Sequence, residues 1–283
     1  MVRAIDMHVH VPPPPGTPPS PLRDAMREYF RAPPQPESVE EMAQYYQERD
    51  IIGIILAEDW EVKTGRPPIT NDYIADIVRR YPKQFVGFCS VNPWKGRRAI
   101  DEVRRSVEEL GLRGVKFHPS LQEFFPNDPQ HYPLWATIAD LKVPVLFHTG
   151  MTGFGVGMPG GFGIKTKYCA PIPCIDDLAA DFPELTIIMA HPAFPWVDEQ
   201  LAVLLHKPNT FMDLSGYSPK YFPPQLVQYA NTRLQDKMLF GSDYPMLPPD
   251  RWLADFAEAP FRENVRPKIL KENAARVLGL NVT

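Results

Sequence analysis

Two histidines separated by one residue, His8 and His10, lie at the end of the apolar run Ala4-Ile5-Asp6-Met7-His8-Val9-His10. In an extended strand, residues two positions apart point to the same face. The two imidazoles are therefore predicted to project together from a strand end. Such a pair forms half of a site for Zn, Fe or Mn. The alternative is an ordinary surface pair of histidines at a strand terminus.

Later apolar runs also end in residues that bind metals or carry protons, and these residues are His118, His148, His191 and Asp243. Five of the seven histidines lie at predicted strand ends. A chance distribution would scatter them over helices and loops. We therefore predict one shared site, and the alternative is a buried network of hydrogen-bonded polar groups. For His191 the options are a metal ligand, a base beside bound water, or a neutral residue that shapes the site.

Other polar side chains near these strand ends are candidate substrate-binding groups. Lys116 shares a strand face with His118, so it is either a buried ion-pair partner or a lysine of the substrate or metal site. His118 itself is a candidate for substrate binding, and otherwise it only precedes a turn at Pro119. Arg66 lies on a loop at the same end and could bind a carboxylate or phosphate, the alternative being ordinary solvated charge. Asp213 is expected to hydrogen-bond loop amides.

Eight short, apolar runs alternate with amphipathic helical patterns. The predicted strands span 4–10, 51–56, 85–91, 114–118, 143–148, 185–191, 210–215 and 238–243. Alternation of this kind calls for a parallel sheet covered by helices, and eight units in this length fit an α/β fold of the (β/α)8 TIM barrel type. The C-terminal strand ends of such a barrel meet at one mouth, where we place the metal site. A doubly wound sheet is the competitor, but no GxGxxG follows the first strand.

The whole chain, 1–283, is predicted to form one domain with a proline-rich insertion at about 11–37, after strand one. Connections this long are usually functional loops or lids. Ser38 and Glu41 form a capping box that should start the next helix. A second unusual loop, 150–163, contains seven glycines and could serve as a lid or as a backbone binding loop.

Composition excludes several function classes. The formal net charge is −4 without a basic block, so we expect no nucleic acid partner. No apolar run approaches the roughly 18–20 residues that cross a bilayer, and no signal segment is expected. None of the three cysteines falls in a CxxC pair, which favours reduced thiols and a cytoplasmic location. The expected partner is a small-molecule substrate, and a homodimer is left open.

Several motifs together resemble the amidohydrolase superfamily, in the amidohydrolase-2 branch related to aminocarboxymuconate semialdehyde decarboxylase. They are Asp6-Met7-His8-Val9-His10, Gly114-Val115-Lys116-Phe117-His118-Pro119, Phe147-His148-Thr149-Gly150, Ala190-His191-Pro192 and Phe240-Gly241-Ser242-Asp243-Tyr244-Pro245. The tail at 268–276 also resembles the branch, and together the motifs occur in the right order over nearly the whole chain.

The resemblance implies that His8, His10, His148 and Asp243 hold one divalent metal ion. Zn is the expected metal, with Mn or Fe as alternatives, and a second metal ion stays open because some dinuclear relatives use a lysine at the place of Lys116. The resemblance also implies that His191 orients or deprotonates a metal-bound water and that Asp243 moves protons. Asp6 is expected to fix the tautomer of an imidazole.

Two departures from the decarboxylases of this branch favour a hydrolase. No Trp follows His148 closely, and His8 stands where some hydroxybenzoate decarboxylases have Glu. The favoured reaction is attack of a metal-activated water on a carbonyl of a small organic acid, lactone, amide or β-keto acyl substrate. The first alternative is a metal-dependent, non-oxidative decarboxylase of an aromatic or unsaturated carboxylic acid. The second is a metal-binding barrel subunit without catalysis.

Overall fold

The chain folds into a (β/α)8 TIM barrel of eight parallel strands, as predicted; the computed structural model describes residues 2–281. The strands are β1 Ala4–His10, β2 Ile51–Leu56, β3 Phe85–Phe88, β4 Val115–Phe117, β5 Val145–His148, β6 Ile187–Ala190, β7 Thr210–Asp213 and β8 Met238–Leu239.

The barrel is assembled from two ladders, β1-β2-β3 and β4-β5-β6-β7-β8. A bridge between Cys89 and Val115 joins the first ladder to the second, and the Lys116 amide donates to the Cys89 carbonyl at 2.7 Å. On the other side, Val9 bridges to Tyr244, and the His10 amide donates to the Tyr244 carbonyl at 2.8 Å. These contacts close the sheet and bring β1 beside the segment that follows β8.

Twelve α-helices surround or cap the sheet. They are α1 Pro21–Phe30, α2 Val39–Gln47, α3 Glu61–Thr64, α4 Asn71–Arg80, α5 Arg97–Glu108, α6 Pro119–Gln122, α7 Tyr132–Asp140, α8 Cys174–Asp181, α9 Val197–His206, α10 Pro224–Ala230, α11 Pro249–Glu258 and α12 Asn273–Leu278. This number refers to the described part of the chain. Short 3-10 turns lie at Pro93–Lys95, Pro129–His131, Thr166–Cys169 and Pro219–Tyr221, and a π-helical segment, Lys268–Glu272, leads into α12. The turn Pro159–Gly163 has left-handed backbone at Gly160, Gly161 and Phe162.

Strand residues alternate between two buried hydrophobic clusters. Val145 and Phe147 of β5 pack in the larger cluster, which joins the strands to the surrounding helices. Leu146 lies between them and belongs to a smaller cluster with Ile188 of the neighbouring β6 and with Ile54 of β2 in the other ladder, so this cluster fills the barrel interior. The strict alternation breaks in β1, where the register against β2 shifts between Asp6 and Val9. A bulge of this kind re-aims side chains, and here it includes His8, two residues before His10.

Five of the strands, β3, β4, β6, β7 and β8, end earlier than the sequence predicts. They lose pairing before the last residues of the predicted runs, because the chain turns over the barrel mouth there. Backbone φ is +69° at His191 and +75° at Asp243, a left-handed conformation that residues other than glycine rarely adopt. Such backbone is concentrated at functional sites.

The proline-rich segment between β1 and α2 contains one helix, α1, which packs over the mouth of the barrel. Met26 and Phe30 of this helix approach Gly153 in the glycine-rich loop, and Tyr29 approaches Gly157. The capping box that follows is also present: Ser38 Oγ accepts the Glu41 amide at 3.1 Å, although the Glu41 carboxylate accepts the amide of the preceding residue, Glu37.

Within residues 2–281, none of the helices is both long and apolar enough to pass through a lipid bilayer.

Candidate active site

A cavity of about 470 Å³ opens at the C-terminal ends of the strands. Seven residues that the sequence analysis selected line it together: His8, His10, Lys116, His118, His148, His191 and Asp243. They come from β1, β4, β5 and the segments that follow β4, β6 and β8. The structure therefore brings side chains from distant parts of the sequence to one place.

Three of these residues converge tightly. The rings of His8 and His10 lie 5.1 Å apart. The Asp243 Oδ1 atom lies 3.1 Å from His10 Nε2 and 3.6 Å from His8 Nε2. The Asp243 amide also donates to the His8 carbonyl at 3.0 Å, which fixes the carboxylate beside β1. Each of the three offers one ligand atom within 4.8 Å of the others, a spacing that a single metal ion could bridge.

His148 lies at the edge of this group. Its ring lies 4.8 Å from that of His191 and stacks on His118 at 3.9 Å. Its closest set of possible ligands is His118 and Cys169. Nevertheless, His148 Nε2 is buried and finds no hydrogen-bond partner among residues 2–281. A buried imidazole nitrogen without a partner costs free energy. A metal ion that accepted its lone pair would remove this cost.

Carboxylates hold the outer nitrogens of both β1 histidines. Asp213 Oδ2 accepts a hydrogen bond from His8 Nδ1 at 3.0 Å. Glu58 accepts one from His10 Nδ1 and is paired in turn with Arg23 of the insertion. A carboxylate behind an imidazole fixes the tautomer and leaves Nε2 as the ligand atom. The Asp6 carboxylate does not contact an imidazole ring, so our expectation for Asp6 was wrong.

Asp6 instead holds the barrel together below the site. It accepts hydrogen bonds from the Tyr46 hydroxyl at 2.9 Å and from the amides of Ser242 at 2.8 Å and His8 at 3.2 Å. The Ser242 hydroxyl also donates to it at 2.5 Å. Because Asp6 precedes the bulge in β1, its side chain faces the segment after β8 and not the ring of a histidine.

The electrostatics of the cavity suit a bound cation. Burial and the nearby charge of Lys116 lower the pKa of His8 to about 3, so this imidazole is neutral and keeps its lone pair. Burial would lower the pKa of His10, but the charge of Glu58 and the contact with Asp243 raise it to about 9. Burial would likewise raise the pKa of Asp243, but its histidine partners hold it well below its ordinary value. The ionised Asp243 and Glu58 thus favour positive charge between the imidazoles.

Lys116 and His118 complete the floor of the cavity. The Lys116 ammonium donates to His8 Nε2 at 3.2 Å, and burial lowers its pKa to about 8. It makes no salt bridge within the part of the chain that the structure covers. The two His118 nitrogens lie 3.3 Å from the hydroxyls of Ser120 and Thr152. Both residues lie where a substrate could meet them.

Arg66 is placed differently from the other candidates. Its side chain is not part of the cavity lining, and one guanidinium nitrogen donates to the Pro18 carbonyl at 3.2 Å. Arg66 thus ties the insertion to the loop after β2, and the predicted contact with substrate has no support from this position.

The sequence did not predict the roles of several residues that lie at or next to the site. Glu58 lies two residues after the end of β2, so the strand-end rule that selected the histidines could have found it. Asp213 was expected only to bind amides, yet it also anchors His8. Arg23 and Arg27 line the cavity from α1. No periodic pattern in the insertion marks these two arginines, because their positions depend on how α1 packs over the mouth.

The sequence profile of the family described as Amidohydrolase matches residues 5–280. The chain belongs to this amidohydrolase family. The predicted superfamily and branch are therefore confirmed, and the chain is an enzyme of a metal-dependent family. Donor atoms of His8, His10 and Asp243, together with the unpaired nitrogen of His148, fit that requirement.

Two relatives of known activity are similar to most of the chain. The 2-amino-3-carboxymuconate-6-semialdehyde decarboxylase of Dictyostelium discoideum is 27% identical over 241 residues, which cover 75% of this chain and 66% of that protein. The gamma-resorcylate decarboxylase of Polaromonas sp. JS666 is 25% identical over 247 residues and covers 75% of each chain. The match with the first spans slightly less than two thirds of its length.

Solved structures show the same fold. An uncharacterized TIM-barrel protein from Bordetella bronchiseptica superimposes with a TM-score of 0.82 at 26% identity and covers 98% of both chains. A dihydroxybenzoic acid decarboxylase from Polaromonas sp. JS666, solved with bound manganese and the inhibitor 2-nitroresorcinol, gives a TM-score of 0.69 at 20% identity. It covers 100% of this chain and 98% of that chain.

Proposed function

We propose that this amidohydrolase is a metal-dependent, non-oxidative decarboxylase of an aromatic or unsaturated carboxylic acid. The observation that carries the choice of reaction is that both relatives described above are decarboxylases. This replaces hydrolysis, which the sequence favoured, as the first candidate. The fold and the cavity supply the supporting chemistry.

The walls of the cavity suit a flat, unsaturated substrate. Above the imidazoles, the lining is formed by apolar and aromatic side chains, among them Met26, Phe30, Phe154, Tyr217 and Leu247. Such surfaces bind planar groups and exclude water. A carboxylate that leaves water for this cavity loses hydration, and the carbon–carbon bond to a poorly solvated carboxylate breaks more easily.

Arg27 provides a group that could bind an acidic substituent of the substrate. Its Nη2 atom donates to the Pro33 carbonyl at 2.9 Å, whereas its Nη1 atom is buried without a hydrogen-bond partner in the described chain. The neighbouring Arg23 is already paired with Glu58, and Arg251 donates to Asp255 at 2.8 Å. Among these three arginines of the cavity lining, Arg27 is the one with a buried nitrogen that lacks a partner in the described chain, and guanidinium groups bind carboxylates through paired hydrogen bonds.

We assign His8, His10, His148 and Asp243 to hold the metal ion, which would supply an electrophile that stabilises negative charge developing on the substrate. In decarboxylation the bond to the carboxyl carbon breaks, CO2 leaves, and the remaining carbon takes one proton. His191 lines the cavity and can carry that proton at Nε2. Burial lowers the pKa of His191, so its imidazolium gives up a proton readily.

Hydrolysis of a carbonyl is the second candidate, favoured by the Thr149-Gly150 sequence after His148 and by His8 itself. Incubation of metal-loaded enzyme with a panel of hydroxybenzoates and unsaturated amino carboxylic acids separates the two reactions. A decarboxylase releases CO2 and, in D2O, leaves deuterium on the carbon that lost the carboxyl group. A hydrolase incorporates ¹⁸O from water into its product without CO2, and that result would overturn the proposal.

A further inference from the structure

We propose that Ser215 is a positioning residue that fixes which nitrogen of His191 carries the proton, and that Asp213 couples this choice to the metal ligand His8. The inference deepens the proposed function, because it concerns the imidazole that would move a proton in that reaction. It depends on hydrogen bonds between buried groups behind the cavity.

One carboxylate receives four hydrogen bonds behind the two imidazoles. Asp213 Oδ2 accepts His8 Nδ1 at 3.0 Å. Asp213 Oδ1 accepts the Ser215 hydroxyl, the Ser215 amide at 3.0 Å and the His191 amide at 3.4 Å. Asp213 and Ser215 are fully buried. Because every neighbour donates to it, Asp213 acts only as an acceptor.

This arrangement determines the proton on His191. Ser215 Oγ lies between Asp213 Oδ1 and His191 Nδ1, 2.8 Å from the latter. A serine hydroxyl has one proton to donate and lone pairs that accept. If that proton pointed to His191, the Ser215 oxygen would face the carboxylate with no proton between them. The proton therefore points to Asp213, and the Ser215 oxygen accepts a hydrogen bond from the N–H group at His191 Nδ1.

The consequence is that His191 Nε2 has its lone pair free in the neutral form. This nitrogen is the one that would take up a proton and pass it on in the cavity. When it does, the positive imidazolium is stabilised through Ser215 by the ionised Asp213. The same carboxylate fixes the His8 tautomer, so metal ligand and proton carrier share one anchor.

The backbone beside Ser215 keeps the contact in place. Gly216 has φ of +75°, and a Cβ atom on it would lie 2.7 Å from His191 Nδ1. The segment after β7 can therefore pack this closely against the His191 imidazole only because residue 216 is glycine. His191 has little freedom to rotate away from Ser215, since its ring also lies 4.7 Å from that of His8.

The test uses full-length protein labelled with [¹⁵N]histidine and loaded with Zn²⁺, with the His191 signals assigned by their loss in His191→Gln. Wild-type protein should show the proton on Nδ1. Ser215→Ala should shift His191 toward the other tautomer and lower kcat about 10- to 100-fold. Its KM and Zn²⁺ affinity should change less than about threefold. Ser215→Cys, which keeps a weak donor and acceptor, should restore part of the loss.

Two comparisons separate positioning from general damage. Asp213→Asn should lower both kcat and Zn²⁺ affinity by at least about tenfold, because it releases both imidazoles. Ser106→Ala removes another fully buried serine, on α5 and away from the cavity, and should leave the tautomer and kcat unchanged. A wild-type His191 with its proton on Nε2 would overturn the proposal, even if every variant failed to fold.

A Ser215→Ala protein that keeps the wild-type tautomer, or that loses Zn²⁺ as Asp213→Asn does, would also overturn it. The tautomer and the metal affinity are measured without turnover. If the substrate panel gives no CO2 while the tautomer follows Ser215, the proposed function fails and this inference stands.

Discussion

Glu58→Gln is the substitution that examines the organisation of the metal ligands most closely. Glu58 is buried, accepts a hydrogen bond from His10 Nδ1 and pairs with Arg23. Glutamine keeps the shape and one acceptor oxygen but removes the negative charge. We expect the affinity for Zn²⁺ or Mn²⁺ to fall about 10- to 100-fold, equivalent to about 1.4–2.7 kcal/mol, as for other carboxylates that orient a metal-ligating histidine.

The same substitution should also lower the stability of the metal-free protein. Removing one partner of a buried ion pair costs several kcal/mol, but the Arg23 side chain is 22% exposed, so water can solvate it in part. We expect a loss of about 1–3 kcal/mol in the free energy of unfolding. Metal affinity is measured by competition with a chromophoric chelator, and stability by urea unfolding of the metal-free protein.

Arg23→Gln is the matched control, because it removes the same ion pair from the other side and leaves the contact between Glu58 and His10 intact. Its stability should fall by a similar amount, while its metal affinity should change less than about threefold. Equal losses of metal affinity in the two variants, or an unchanged affinity in Glu58→Gln, would refute the reasoning, since Glu58 would then act only in folding.

Three further substitutions examine other parts of the account. Arg27→Gln should raise KM for a carboxylate substrate about 10- to 100-fold in steady-state kinetics with little change in kcat, because it removes a charge-assisted contact. Gly216→Ala should cost about 1–2 kcal/mol or more in urea unfolding and lower kcat, since alanine is strained at φ of +75° and meets His191. Burial lowers the pKa of His131, so the native state resists protonation there, and the stability this provides is present above about pH 6.5 and lost as the pH falls. His131→Phe should therefore lose less stability than wild type between pH 7 and pH 5, measured by urea unfolding at each pH.

Each of these expectations has an outcome that contradicts it. An unchanged KM in Arg27→Gln would place the substrate's acidic group elsewhere. Gly279→Ala is the control for Gly216→Ala, because Gly279 is also left-handed but has only a distant side-chain atom near its Cβ position. If both glycine variants behaved alike, contact with His191 would not matter. Parallel pH curves for wild type and His131→Phe would show that His131 is not held neutral by folding.

The fold and the location of the site could be predicted because both follow from local pattern. The eight apolar runs marked the strands, and the barrel then required His118, His148, His191 and Asp243 to meet at one mouth, where the structure has them. The assignment of individual roles to these side chains stays a prediction. The favoured reaction, hydrolysis, rested on two sequence departures, and the relatives support decarboxylation better.

The hydrogen-bond partners of the imidazoles and the positions of Arg27 and Ser215 could not be predicted from the sequence, because they depend on contacts between distant segments. The partner of an imidazole is chosen by loop geometry: the bulge in β1 turns Asp6 away from His8, and Asp213, 205 positions later, takes its place. Arg27 acquires its position from the packing of α1 over the mouth. The role of Ser215 requires that Gly216 press against His191. None of these arrangements leaves a periodic signal along the chain.

The central claim is that side chains from β1, β5 and the segment after β8 hold one metal ion. The most direct measurement is elemental analysis of the purified protein beside His148→Ala and Asp243→Asn, with circular dichroism to show that the barrel remains folded. The account predicts about one equivalent of Zn, Mn or Fe per wild-type chain and less than about a tenth of that in each folded variant. Variants that keep a full equivalent of metal would contradict it.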